Sequence, residues 1–242
     1  MITMRESWSI ARARDFLSAQ GWFAEQPSWF RDEVFARSVI KVAGAGTIIG
    51  DASGYADGAY AVLEGQVDYI LELPGGGEGF CCTILPRGWF GYGASLDSQT
   101  WSMRRVAARP TVALYLPKLE FDALNTERPE SYRFWAILMD RFAWRMVTYL
   151  IDTHNLPAKA RVAAAIVHLS EDAALAGDGN RIQASLTKAD LASQLGITRQ
   201  YVSRFSSELT REGLIEWTRQ EIVIKNLPAL RRIAETRGGP QR

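Results

Sequence analysis

Three hydrophobic rhythms follow one another along the chain. From about residue 38 to 118, apolar and β-branched residues come in short runs broken by turn residues. From 129 to 153 bulky apolar residues recur every three or four positions, and from 186 to 224 two short helical patterns precede two brief β-rich runs. Short runs bounded by glycine and proline are strand signals, whereas a 3–4 spacing gathers side chains on one face of a helix.

In the first region Ser38 to Val42, Thr47 to Ile49, Tyr60 to Leu63, Gln66 to Leu73, Phe80 to Leu85 and Val112 to Leu116 read as strands. Gly44-Ala45-Gly46, Glu64-Gly65 and Pro74-Gly75-Gly76-Gly77-Glu78-Gly79 read as the turns between them. Together they predict an antiparallel roll or barrel. Neither Lys-Ser nor Lys-Thr follows the glycine run, so it reads as a hairpin turn and not as a phosphate loop.

Pro129 to Thr153 predicts one long helix with Trp135, Leu138, Met139, Phe142, Met146, Tyr149 and Leu150 on a seam. Such a stripe must be buried, on the chain's own β domain or on a second copy, and the second copy is expected. Asn155 reads as an N-cap and Pro157 as an early position of a helix from Ala158 to Ser170, which places a hinge at Thr153 to Pro157.

Leu186 to Leu209 predicts a helix-turn-helix. Ala192 is small where the helices approach closest, Gly196 supplies a left-handed turn, and Val202 packs the second helix on the first. Leu191, Leu195, Ile197, Phe205 and Leu209 complete the inner face, and Thr187 and Thr198 stand as N-caps. Arg199, Gln200, Ser203 and Arg204 are then left on the outer face, where a recognition helix meets base edges in the major groove. Arg forks onto guanine and Gln pairs with adenine, each good pair giving about 1–3 kcal/mol of discrimination. Gly213 to Trp217 and Glu221 to Ile224 flank Thr218-Arg219-Gln220 as a wing, whose Arg219, with Arg211 and Lys225 nearby, is placed to meet phosphates.

Composition narrows the class. With 242 residues, 47% hydrophobic and 23% charged, the chain suits two domains of an ordinary globular protein. A net charge of +1 means that attraction to DNA depends on local clustering, as of Arg199, Arg204, Arg211 and Arg219 against Glu208, Glu212 and Glu216, a thin margin; Arg231, Arg232, Arg237 and Arg242 make a basic tail expected to be solvated. No apolar run spans a bilayer and no secretory signal is present, so a cytoplasmic protein without membrane attachment is expected. The two cysteines, Cys81 and Cys82, are adjacent and read as packed in a strand, which excludes a disulfide framework and four-cysteine iron–sulfur ligation. The β region has no histidine for a cupin-type metal site and the chain has no Gly-x-Ser-x-Gly elbow, so neither an enzyme nor a metal site is expected. His154 falls at the hinge and His168 on the apolar face of the following helix, where a core histidine is expected and not a haem ligand.

In this order of elements the chain resembles the Crp/Fnr (catabolite activator/fumarate-nitrate regulator) family of bacterial transcription factors along nearly its whole length. The resemblance is most specific at Thr198-Arg199-Gln200-Tyr201-Val202-Ser203-Arg204, which follows the family's Ser/Thr-Arg-Glu-Thr-Val-x-Arg pattern except at Gln200 and Tyr201. It implies that Arg199 and Arg204 contact guanines and that the base pair facing Gln200 differs from the family's. Tyr60-Ala61-Val62-Leu63-Glu64-Gly65-Gln66-Val67 and Gly88-Trp89-Phe90-Gly91 are similar to strand-turn positions of its cyclic-nucleotide-binding fold.

The same resemblance marks a candidate effector pocket at Gly91, Tyr92, Gly93, Ser102, Met103, Arg104, Met146 and Val147, and here the ligand residues depart. Tyr92 stands where cAMP-binding members place a Glu for the ribose, and Ser102-Met103 where they place Arg-Ser for the cyclic phosphate. Met146 and Val147 replace the polar residues that meet the base. Losing charge-assisted bonds of this kind argues against cAMP. The cofactor expectation is therefore none, with an unidentified small-molecule effector left open. The aromatics Trp89, Phe90, Tyr92, Trp101, Trp135 and Trp144 either fill the cavity or line one.

The expected fold is thus α+β: a cyclic-nucleotide-binding-like jelly roll over 1–128, a long dimerisation helix and hinge over 129–155, and a winged helix-turn-helix over 156–242. The expected function is that of a homodimeric regulator reading a palindromic site on double-stranded DNA, with RNA polymerase as a further partner. Two alternatives stay open: a cyclic-nucleotide-responsive regulator whose offset loop brings Arg104 or Arg105 to the phosphate, and a dimeric scaffold using its winged helix to bind protein.

Overall fold

Ser9 opens the first helix, its hydroxyl accepting a hydrogen bond from the Arg12 amide at 3.1 Å, so that α1 runs Ile10–Ala19. A 3-10 turn at Trp22–Glu25 and α2 (Ser28–Ala36) follow. The computed structural model describes residues 8–49, 57–73, 76–97, 103–176, 180–182, 186–218 and 221–236. It divides into two units, Met1–Glu78 with Cys82–Arg141 and Phe142–Arg242 with Gly79–Cys81.

In the first unit β1 (Val39–Ala43), β2 (Gly58–Leu73), β3 (Gly77–Ile84), β4 (Trp89–Phe90) and β5 (Met103–Pro117) form one sheet of order β1-β5-β2-β3, with β4 on β2. Strand β5 pairs antiparallel with both β1 and β2. The sheet is the expected roll, with corrections. Tyr60 to Leu63 and Gln66 to Leu73 are one strand: Glu64-Gly65 is not a turn but a bulge, with register shifts on either side. Gly65 has φ +95 and lies opposite Pro110, whose missing N–H interrupts the ladder. Thr111 closes the gap, its hydroxyl accepting from the Gln66 amide at 3.1 Å and lying 3.0 Å from the Gln66 carbonyl. Of Thr47 to Ile49 only Ile48 bridges, to Val106. Strand β5 starts well before Val112, because its polar first half, with Arg104, Arg105 and Arg109, pairs as part of the same ladder.

Helices α3 (Tyr92–Asp97), α4 (Lys118–Glu127) and α5 (Ser131–Asn155) complete the succession, α5 passing from the first unit into the second after Arg141. The core under the sheet is aromatic: Trp22, Phe30, Trp89, Phe121 and Trp135 are buried together, with the Trp22, Trp89 and Trp135 ring centroids 5.6–5.7 Å apart. This corrects the seam on α5. Trp135 is 0% exposed within its own chain, Leu138 packs on the same core, and Tyr149 lies edge-on against His168, 5.0 Å between ring centroids. The side of α5 that one chain leaves open carries Met139, Trp144, Val147, Leu150 and Ile151. Neighbouring apolar positions such as Leu138 and Met139 lie on either side of the same helix, and periodicity alone does not choose between them.

In the second unit α5 continues through Asn155, which is not an N-cap: its side-chain amide donates to the Ile151 carbonyl at 2.8 Å, and the break falls at Leu156-Pro157. Helix α6 (Ala158–Ala176) is followed by β6 (Arg181–Ile182), α7 (Lys188–Leu195), α8 (Arg199–Arg211), β7 (Ile215–Trp217), β8 (Ile222–Ile224) and α9 (Leu227–Ala234). The three strands pair in the order β6-β8-β7. Arg231 and Arg232 belong to α9, which Asn226 caps and Leu230 anchors at 0% exposure; they are not part of a solvated tail. Among the described residues no helix is long and apolar enough to cross a membrane.

Candidate nucleic-acid interface

A capping box fixes the start of α7. Thr187 Oγ1 accepts from the Asp190 amide at 3.1 Å, while the Asp190 carboxylate accepts from the Thr187 amide at 2.9 Å. Gly196 then takes φ 61 and ψ 34, the left-handed conformation that ends α7, and Thr198 caps α8 through the Tyr201 amide. Leu191, Ala192, Leu195, Val202 and Leu209 are buried between the helices. Phe205 is not among them. Ser206, 1% exposed, occupies that inner position because it lies four residues after Val202, and the half-buried Phe205 ring stacks on the exposed Tyr201, 5.9 Å between centroids.

The outer face of α8 presents Arg199, Gln200, Tyr201 and Arg204. Arg204 has a side chain 69% exposed; its Nε donates to Glu208 Oε1 at 3.1 Å, and its guanidinium carbon lies 5.5 Å from the Phe205 ring centroid. The Arg204 hydrogen bond holds the Glu208 carboxyl below its ordinary range, with Lys159 adding to the effect. Ser203 is half-buried, with Lys188 Nζ at 3.5 Å from its hydroxyl. The hydroxyls of Thr187 and Thr198 are engaged in capping, so what these residues offer a phosphate is the amide-rich helix start behind each cap.

Strands β7 and β8 pair as the expected wing, closed by Thr218, whose amide donates to the Glu221 carbonyl at 2.9 Å. Arg219 lies outside the described residues. Arg211 is exposed, and Lys225 meets Glu216 at 3.1 Å.

The candidate effector residues of the first unit differ in their surroundings. Gly91 is buried against the Gly58 carbonyl, and Tyr92 points into the aromatic core, its ring stacked 6.2 Å from that of Trp135. Gly93 and Met103 are half-buried, and Ser102 and Trp101 lie outside the described residues. Arg104 is engaged by Glu72 and Glu78. Its neighbour Arg105 points the other way, is 7% exposed and faces Asp57 at 3.6 Å. Met146 is half-buried and Val147 exposed on the second unit's part of α5, and Trp144 is 63% exposed.

The sequence reading missed Lys159 and Lys188, and counted Glu208 only as a charge opposing the arginine cluster. The i,i+4 spacing of Arg204 and Glu208 was legible as a helix-surface ion pair. The approach of Lys159 from α6, 2.7 Å from Glu212 and 3.6 Å from Glu208, follows only from the packing of α6 on α8.

Comparison with known proteins agrees with this geometry. The family described as the Crp-like helix-turn-helix domain matches residues 160–233. The chain is 26% identical over 178 residues to the transcriptional regulatory protein btr of Bordetella pertussis, covering 73% of each. It is 29% identical over 192 residues to the transcriptional regulator SdrP of Thermus thermophilus, covering 76% of this chain and 88% of that one. FixK2 from Bradyrhizobium japonicum shares the fold, with a TM-score of 0.71 and 17% identity over 82% of this chain and 98% of its own. A CRP/FNR-family transcriptional regulator whose structure is known from Thermus thermophilus superposes at TM-score 0.62 and 25% identity, covering 83% and 100%. A Crp-like helix-turn-helix domain, the family's DNA-binding unit, thus carries the exposed helix face, and the sheet and long helix before it follow the plan of CRP/FNR-family transcription regulators, which the chain as a whole resembles.

Proposed function

We propose that the protein is a homodimer that reads a palindromic site with Arg199, Gln200 and Arg204 of α8, and that its β-roll has left the family's usual cAMP contacts. The observation that carries the reading is the exposed outer face of α8, which offers donors with no apolar cover while Val202, Ser206 and Leu209 turn inward. Arg and Gln side chains so placed suit guanine and adenine edges.

Dimerisation is supported by Met139, Val147 and Leu150, which leave an apolar stripe uncovered along α5. A second copy of α5 would cover it and set two recognition helices one helical turn apart. The departure from cAMP is supported by Tyr92, buried where a ribose acceptor would stand, and by Arg104, neutralised by two glutamates. A different small-molecule effector of the roll, and RNA polymerase as a partner of the DNA-bound dimer, complete the proposal.

The test is selection of bound duplexes from a random pool with and without cAMP, followed by a salt titration. An enriched palindrome, independent of cAMP, with affinity falling steeply as salt rises, is the expected result. Enrichment only with cAMP would overturn the sensor reading, and a single non-repeated half-site would overturn the dimer.

A further inference from the structure

Glu208 is at first sight misplaced. It stands one turn after Arg204 on the helix that the DNA-binding reading turns toward a polyanion, and a carboxylate there opposes phosphate binding. Its surroundings show why it is tolerated. One oxygen accepts from Arg204 Nε at 3.1 Å, and the other lies 3.6 Å from Lys159 Nζ, which comes from α6 and is also 2.7 Å from Glu212. Glu208 is 21% exposed against 69% for Arg204, so the carboxylate is the fixed member of the pair.

We propose that Glu208 is a positioning residue for base readout: braced by Lys159, it grips Arg204 through Nε and leaves both Nη groups free to fork onto a guanine. An arginine on a mobile stem must be ordered on binding, and one held on its Nε edge, with Phe205 beneath its guanidinium, has less freedom to lose. The fork also has its direction set, which rejects a base that presents a donor there. Lys159, shared with Glu212, offsets part of the carboxylate's charge and limits the cost to phosphate attraction. The inference rests on Arg204 touching a base, and the experiment separates the two claims.

The full-length protein is tested on the duplex it enriches from a random pool, on three versions altered at the base pair whose preference Arg204→Ala erases, and on an unrelated duplex of equal length. Glu208→Met and Glu208→Gln are compared because both are good helix formers of similar size, both lose the charge, and only Gln keeps an acceptor oxygen. Expected are equal melting temperatures, a gain of a few-fold on the unrelated duplex for both variants, a three- to tenfold loss of base preference for Glu208→Met, and a preference close to the parent's for Glu208→Gln. In the Arg204→Ala background Glu208→Met should change the base preference no further. Equal behaviour of the two variants, whether both keep or both lose the preference, would overturn positioning through the acceptor. If Arg204→Ala leaves every base preference intact, Arg204 does not read a base, and that earlier reading falls instead.

Discussion

Gly65 lies so close beneath Pro110 that a β-carbon on it would stand 2.4 Å from the Pro110 carbonyl oxygen. The pair forms the bulge that lets β2 and β5 run as one long ladder. Gly65→Ala therefore meets two penalties, a clash with backbone that cannot swing aside and a side chain at φ +95. The expected loss is about 3 kcal/mol, lowering the unfolding midpoint by roughly 6–12 °C in calorimetry. Thr111→Val, which removes the hydroxyl that bonds Gln66, should cost about 1–2 kcal/mol.

Gly196 makes the contrasting case. Its nearest neighbour to an added β-carbon is Thr153 Cγ2 at 3.8 Å, ordinary contact, so Gly196→Ala carries only the strain of φ +61. About 1–2 kcal/mol is expected, with DNA affinity retained below the melting point. A loss of affinity without a loss of stability would show that the turn shapes the interface directly.

Trp135 and Leu150 occupy the same helix and should fail in different ways. Trp135→Ala empties the aromatic core and is expected to cost about 3–5 kcal/mol, seen as unfolding in near-ultraviolet circular dichroism. Leu150→Glu places a charge on a side chain 58% exposed in one chain. The fold should survive and sedimentation should report a monomer that no longer binds the palindrome. A Leu150→Glu protein that sediments as a dimer would move the interface away from this stripe.

The difference between those two residues also shows where the sequence was legible. The helix-turn-helix could be read because its signals are local: Ala192, Gly196 and Val202 at fixed spacing, with a capping threonine before each helix. Phe205 and Ser206 were exchanged because hydrophobicity favoured the phenyl ring, whereas Ser206 fits inside once its hydroxyl bonds the Ser203 carbonyl at 3.1 Å. The seam was one position out along part of its length, since the apolar stripe on α5 serves the chain's own core and the open side in adjacent positions. Helices α1 and α2 were not read at all; their aromatics carry no helical spacing distinct from the aromatics around them. Arg104 and Arg105 were left as alternatives, because alternation on a strand sends one to the glutamates and the other inside, and only the register with Tyr69 decides which.

The ion pair of Arg145 and Asp172 yields the last prediction, because burial and charge pull the carboxyl in opposite directions. Burial dominates and raises the Asp172 pKa above its ordinary 3.8, although Arg145 and His168 both favour the ionised form. The folded state then holds its proton more tightly than the unfolded chain does. Stability from this group is fully present below the ordinary value and is lost as pH rises through the raised one. Asp172→Asn, which has no charge to bury, should gain on the parent between pH 4 and pH 7 in urea unfolding. Arg145→Met should do the reverse at pH 7, leaving the buried carboxylate without its cation at a cost of about 1–3 kcal/mol. If the parent instead gains on Asp172→Asn as pH rises, the attraction of Arg145 exceeds the burial penalty, and the pair stabilises the packing of α5 on α6.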